Sequence, residues 1–306
     1  MKHLLRIKFT TMTLLALLWL TGMANPALAG MEDSPTAFLA APVQVGLGQP
    51  FLVRLTSEHP LDKVRVRWMG KKIDTSISSW NKHYISLAML GTDVLTAKTG
   101  PHELLVSAGV GGHARRFKQM IQVNHRTYPR QDLNLPENMV SPPKEVQNRL
   151  RAERKLTTKA KNTISSQRTW QLPFYRPVPG KITSLYGLRR YLNKKPKNPH
   201  RGLDFRSPLG SPVKAAAQGQ VILVGNHYYA GNSIYIDHGN GVVSLYFHLQ
   251  KPLVETGDRV TRGQTIGMSG TSGRSTGPHL HFSVSVSGAL VDPEPLFEKT
   301  ADHFLE

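Results

Sequence analysis

The chain has 306 residues, a formal net charge of +19 and no cysteine. Its length leaves room for two domains with ordinary cores. The missing cysteine excludes disulfide staples, thiolate metal sites and an N-terminal lipid-bearing cysteine, so any metal must be held by His, Asp or Glu.

The first segment reads as a secretory signal over residues 1–29. Lys2, Arg6 and Lys8 precede the apolar run MTLLALLWL, and Ala27 and Ala29 supply the small residues a signal peptidase needs. The apolar run is short for a membrane span, so the expected product is exported to the periplasm or cell envelope, with no stable membrane insertion after cleavage. Removing the three basic residues of this segment from the +19 total leaves +16. An exported chain this basic is expected to meet a polyanion, and at an envelope that is peptidoglycan, teichoic acid or lipopolysaccharide. Export argues against nucleic acid.

Residues 38–125 alternate short apolar runs with turn residues. In KVRVRW, Val64, Val66 and Trp68 fall on one face, and Lys63, Arg65 and Arg67 on the other. Several such runs without a long helical pattern predict an all-β start, a small sandwich of immunoglobulin-like type. His59, His83, His102, His113 and His125 are scattered through it without ligand spacing and read as surface or packing residues.

Prolines 136, 142 and 143 mark a linker over 126–170. Val146, Leu150, Leu156, Ala160 and Ile164 then recur at roughly helical intervals among many Lys and Arg, which predicts a basic connecting helix with a thin apolar stripe.

From residue 171 to 298 the composition turns Gly-rich and strand-dominated. HGNG between SIYID and VVSLYFHL is a hairpin signal, and successive strands without helices predict a mostly antiparallel β domain. A flexible basic loop, RRYLNKKPKNP, leads into PHRGLDF, where His200 and Asp204 stand four apart. With His281 they make one carboxylate and two neutral imidazoles, a set that suits Zn²⁺ with a fourth position left open. His279 and His281 are two apart on one strand-like run and so share a face. His279 then stands beside the metal without being needed as a ligand. By the same alternation Ser244, Tyr246 and His248 share the polar face of VSLYFHL, making His248 the other candidate. The two imidazoles, His248 and His279, would act as general base and as stabiliser of the oxyanion, with the assignment between them open.

The segments HRGLD, YFHL, GDRVTRGQTIGMSGTSGRSTGPHLHF and VDPEPLF together resemble the lysostaphin-type, or LytM-like, zinc metalloendopeptidases that cleave peptide bridges in peptidoglycan. The resemblance covers about residues 172–298 and implies His200, Asp204 and His281 as zinc ligands, with His248 and His279 as the catalytic pair. A looser likeness links the preceding strands to the immunoglobulin-like domain found before some bacterial members. The implied activity is hydrolysis of peptide cross-links, with D-alanyl–meso-diaminopimelate as the expected bond. The alternative is a non-catalytic wall-binding regulator that activates another hydrolase; relatives of that kind lack the metal ligands that this chain has. The sequence leaves open whether the first domain or the loop at 189–199 covers the cleft, in which case a chain starting near Gln171 should be more active. It also leaves room for a regulatory protein partner of unknown identity. His238 and Asp237 read as structural, His227, Tyr228 and Tyr229 as cleft or loop residues, and Arg274 and Ser275 as contacts for a peptide carboxylate or simply part of a Gly-rich turn. GDRVTRGQTIG is like the tip of a biotinyl or lipoyl carrier hairpin, but Arg262 and Gly263 stand where such a carrier needs lysine.

Overall fold

A computed structural model describes residues 35–306 of the chain. The secretory-signal segment lies outside the described residues. In the first half, β1 (Phe38–Ala40), β2 (Gln44–Gly46), β3 (Pro50–Ser57), β4 (Leu61–Trp68), β5 (Lys71–Asp74), β6 (Ile77–Trp80), β7 (His83–Gly91), β8 (Gly100–Val110) and β9 (His113–Asn124) form two sheets. Their orders are β1-β3-β7-β6 and β2-β9-β8-β4-β5. The alternation in β4 works as the pattern requires, because Val64, Val66 and Trp68 are buried and Lys63, Arg65 and Arg67 exposed. Those side chains meet Phe51, Val53 and Leu55 of β3 in the facing sheet, and Val106 and Ile121 of their own sheet, in one apolar core. The result is a two-layer sandwich.

The stretch after the sandwich differs from a plain linker. It begins with a strand, β10 (Arg130–Leu133), then a helical turn α1 (Glu137–Val140) and the helix α2 (Gln147–Lys161). β11 (Ile182–Ser184) precedes the segment expected to be a flexible loop, which instead folds as a hairpin of β12 (Arg189–Leu192) and β13 (Lys195–Pro196). Asn193 and Lys194 make its two-residue turn, both at positive φ, 51° and 65°. β10 pairs with β12 in parallel, so the linker supplies a strand to this small sheet. Of the expected stripe, Ala160 is buried, but Leu156 is exposed and Ile164, also exposed, lies beyond the end of α2, so the stripe does not pack as one line.

The remaining strands are β14 (Leu203–Arg206), β15 (Pro212–Lys214), β16 (Gly219–His227), β17 (Gly231–Asp237), β18 (Val242–Pro252), β19 (Arg259–Val260), β20 (Thr265–Ser269), β21 (His279–Val286) and β22 (Ala289–Val291). With β11 they form a ten-stranded antiparallel sheet whose main path runs β11-β14-β21-β18-β17-β16-β19. HGNG is the β17–β18 turn, with Gly239, Asn240 and Gly241 all at positive φ. The all-β expectation therefore holds, with α2 the one long helix among the described residues.

The sandwich does not end where the large sheet begins. Leu52 and Met89, pointing out of the sandwich, join Trp170, Phe205, Phe282, Val291 and Leu296 in a second apolar core. Polar links follow the same seam. Asp93 accepts from Arg201 at 3.2 Å and from the Leu290 amide at 3.0 Å. Tyr186 donates to the Leu290 carbonyl at 2.7 Å, and its oxygen accepts from the Val94 amide at 3.2 Å. Residues 35–306 make one compact unit.

Candidate active site

Three neighbouring strands bring the first group of residues together. In the ladder Asp204 of β14 faces His281 of β21, and His281 faces Phe247 of β18. His200 arrives from the segment just before β14. Its Nε2 lies 3.0 Å from Asp204 Oδ1 and 3.0 Å from His281 Nδ1, and His281 Nδ1 lies 2.8 Å from the same carboxylate oxygen.

Hydrogen bonds on the far sides of the rings decide what those atoms carry. His200 Nδ1 donates to the Leu185 carbonyl at 2.8 Å, which leaves Nε2 with its lone pair. Ser283 donates its only hydroxyl proton to the Arg201 carbonyl, so it accepts from His281 Nε2 at 2.8 Å, and His281 Nδ1 is left bare. Two imidazole lone pairs and a carboxylate oxygen thus converge within 3.0 Å with no proton between them. Such a cluster repels itself unless a cation sits among the three, and four-coordinate zinc at its usual bond lengths sets donor atoms roughly 3.3 Å apart. The donor set therefore fits a divalent metal, and these are the residues able to hold one.

The electrostatics agree. Burial would raise Asp204, but the electrostatic and hydrogen-bonding pull of His200 and His281 outweighs it and holds the carboxyl well below its usual range. Burial pushes His281 down to about 4 against the opposing pull of Asp204, which keeps the imidazole neutral as a ligand must be. Arg190 of β12 occupies the second carboxylate oxygen at 2.8 Å, so Oδ1 alone faces the cluster. Gln131 of β10 accepts from Arg190 Nε at 3.0 Å and holds the guanidinium in place.

His279 and His248 stand beside this cluster, their rings 4.7 Å apart. His279 Nε2 is 4.0 Å from Asp204 Oδ1, while its Nδ1 donates to the Gly277 carbonyl at 2.8 Å. His248 Nδ1 donates to the Ser272 carbonyl at 2.8 Å. Each ring is thus anchored through one nitrogen and presents the other to the cleft. Burial, together with the neighbouring His279 and His281, pushes His248 down to about 3.

His248 reaches the cleft by a route that simple alternation does not give. Ser244 and Tyr246, expected to share its polar face, are fully buried, and Phe247 from the opposite set stacks on His281 at 5.2 Å. Between Tyr246 and Leu249 the β17–β18 ladder shifts register, and His248 takes a φ of +62°. The bulge turns the side chain out of the core and into the cleft. No pattern of polar and apolar residues announces that turn.

The site opens into a cavity of about 910 Å³. His227 and Tyr229 line it, as do Arg274 and Ser275, whereas Tyr228 does not. His238 is buried elsewhere, with Nδ1 on the Gln218 carbonyl at 2.7 Å and Nε2 2.7 Å from Ser244 Oγ. The five histidines of the sandwich stay out of the cavity. Arg190, Ser283 and Phe247 went unrecognised in the sequence, because their roles depend on register and on a partner more than ten residues away.

A carboxylate and two imidazoles converge on one point, flanked by two anchored imidazoles at the mouth of an open cleft, and the three are able to hold a metal. Comparison with known proteins agrees. The profile of peptidase family M23 matches residues 198–293. Peptidoglycan DD-endopeptidase ShyA of Vibrio cholerae is 45% identical over 135 residues, which is 43% of this chain and 31% of that protein. ShyB of the same organism, also named a peptidoglycan DD-endopeptidase, is 49% identical over 94 residues, 31% of this chain and 22% of its own. A crystal structure assigned to peptidase M23 from Pseudomonas aeruginosa aligns with a TM-score of 0.58 at 28% identity, covering 78% of this chain and 88% of that one. This chain spans under a third of the length of the two Vibrio relatives.

Proposed function

We propose that the protein is an exported zinc metalloendopeptidase that hydrolyses peptide cross-links in peptidoglycan, with the D-alanyl–meso-diaminopimelate bond as its substrate. The observation that carries this reading is the convergence of bare His200 Nε2, Asp204 Oδ1 and His281 Nδ1 within 3.0 Å beside His248 and His279. The Vibrio relatives support the substrate class, and the leader pattern at 1–29 supports export.

His200, Asp204 and His281 would hold the ion. When bound, Zn²⁺ supplies Lewis acidity at neutral pH, polarising a carbonyl and acidifying water. The protein's own groups do the rest. Addition of water to the scissile carbonyl requires one proton to leave the water and one to reach the departing amine. His248 and His279, each with a free nitrogen at the cleft, take up and return those protons and donate to the carbonyl oxygen as it gains charge. Their anchoring to Ser272 and Gly277 fixes both rings before substrate arrives, so little reorganisation is needed on binding. Phe247, stacked on His281, and Arg190, on Asp204, hold the ligands at rest.

The test is digestion of purified diaminopimelate-type peptidoglycan by the protein and by His281→Ala, with zinc content measured on both and products identified by mass. Release of uncross-linked peptides by the zinc-loaded wild type, with loss of both zinc and release in the variant, is the expected outcome. A wild type that carries no zinc and releases nothing would favour a wall-binding regulator.

A further inference from the structure

One face of α2 looks into the cleft. Leu150, Arg154, Thr157 and Lys161 follow the i, i+4, i+7 spacing of a single helix face, and all four line the cavity that contains the metal-binding group. This helix lies outside the M23 match at 198–293.

Two of the four residues are cations, and a third, Arg201, lines the same cavity. Arg201 has a protein partner, the buried Asp93 at 3.2 Å. Arg154 and Lys161 make no ion pair among the described residues. Of the two carboxylates that line the cavity, Glu153 is held by Arg149 at 2.6 Å and Asp204 by Arg190 at 2.8 Å. Burial pushes Lys161 down, and the charges of Arg201 and Arg154 push it further, against the pull of Asp93. Lys161 and Arg201 are half-buried and Arg154 is exposed, and an incoming anion would relieve the repulsion among the three.

We propose that Arg154, Lys161 and Arg201 form an anion subsite for the free carboxylate on the diaminopimelate carbon that bears the scissile nitrogen. The proposal rests on the endopeptidase reading of the same cleft. In a D-alanyl–diaminopimelate cross-link that carbon carries both the amide nitrogen to be released and a carboxylate. A carboxylate beside the reacting bond therefore belongs to the leaving half of the substrate, and guanidinium and ammonium groups lining the same cavity as the metal-binding group match it in charge and donor number. The helix would then be a specificity-determining wall of the cleft, supplied by the segment between the two sheets.

Two dimeric muropeptides separate this from the parent reading: one with the free diaminopimelate carboxylate and one with it amidated. Wild type is expected to prefer the acid over the amide by about tenfold or more in kcat/KM, a gap of the size expected for one charged hydrogen-bonding contact. In Arg154→Gln/Lys161→Met the ratio should fall to about one through a higher KM for the acid, and Arg154→Lys/Lys161→Arg should recover part of it. Lys155→Gln, an exposed charge loss outside the cavity lining, should keep the wild-type ratio. A wild type without preference, a double variant that keeps it, or an equal loss on both substrates would overturn the subsite. Failure of the zinc-loaded wild type to cut either dimer would overturn the endopeptidase reading itself. Thermal melts of each variant separate unfolding from loss of recognition.

Discussion

Arg190 has the most to say among single residues, because it reaches the metal-binding group through Asp204 and through Ser184, whose hydroxyl lies 3.1 Å from His200 Nδ1. With Oδ2 engaged, the carboxylate presents one oxygen in a fixed direction. Arg190→Gln should lower zinc affinity by about 10- to 100-fold, read by competition with a chromogenic chelator, while the melting temperature changes little. His279→Gln makes the complementary case. His279 supplies no ligand atom to the cluster, so the variant should keep stoichiometric zinc and lose about 10²- to 10⁴-fold in kcat. Loss of zinc with activity would make His279 a ligand instead. The clustering of His200, Asp204 and His281 was legible in sequence, since HxxxD and HxH carry their own spacing. Arg190 was not, because nothing in RRYL says that β10 will line up beside it and Gln131 will hold its guanidinium.

At the scale of elements, the bulge in β18 decides whether the second imidazole reaches the cleft. Gly231 at the start of β17 supports it. Gly231 has a φ of +63°, and a Cβ there would meet the Ser272 backbone and hydroxyl. Ser272 supplies the carbonyl that anchors His248. Gly231→Val should therefore cost about 1–3 kcal/mol of stability and lower kcat more than KM, as His248 loses its anchor. A variant with wild-type kcat would show that the Ser272 carbonyl does not matter. Strand periodicity predicted the β18 hairpin and its turn, yet it placed His248 beside Ser244 and Tyr246. Alternation holds only while the ladder is regular, and the register shift before Leu249 interrupts it. The basic segment 189–199 misled for a related reason. Its composition is that of a loop, but Asn193 and Lys194 both adopt the left-handed turn that closes a two-residue hairpin.

Acid sensitivity of the whole molecule comes from a buried histidine outside the cavity as well as from His248 and His281 within it. Burial pushes His238 down to about 4 from an ordinary 6.5, against the raising effects of Gln218 and Asp237. A histidine that is neutral when folded binds protons more readily once unfolded, so its stabilisation is present above pH 6.5 and is lost as pH falls toward 4. At about 1.4 kcal/mol per unit, the loss is roughly 3 kcal/mol. The melting temperature should drop across that window, and His238→Gln should flatten the drop while starting lower. A profile identical in both would mean that another group titrates. The two halves of the chain could be told apart in sequence by composition, but not the seam between them. Leu52 and Met89 look like ordinary strand residues, and only the fold shows that they pack against Phe205, Phe282 and Leu296.

That shared core also has a consequence for the cell. Substitutions at Leu52 or Met89, which do not line the cavity, would raise the fraction of unfolded chains and feed them to proteases. Their phenotype would be a lower number of protein molecules, each working at the normal rate. A screen that scores only the proposed hydrolysis would count them as active-site damage, and a blot for protein amount would tell the two apart.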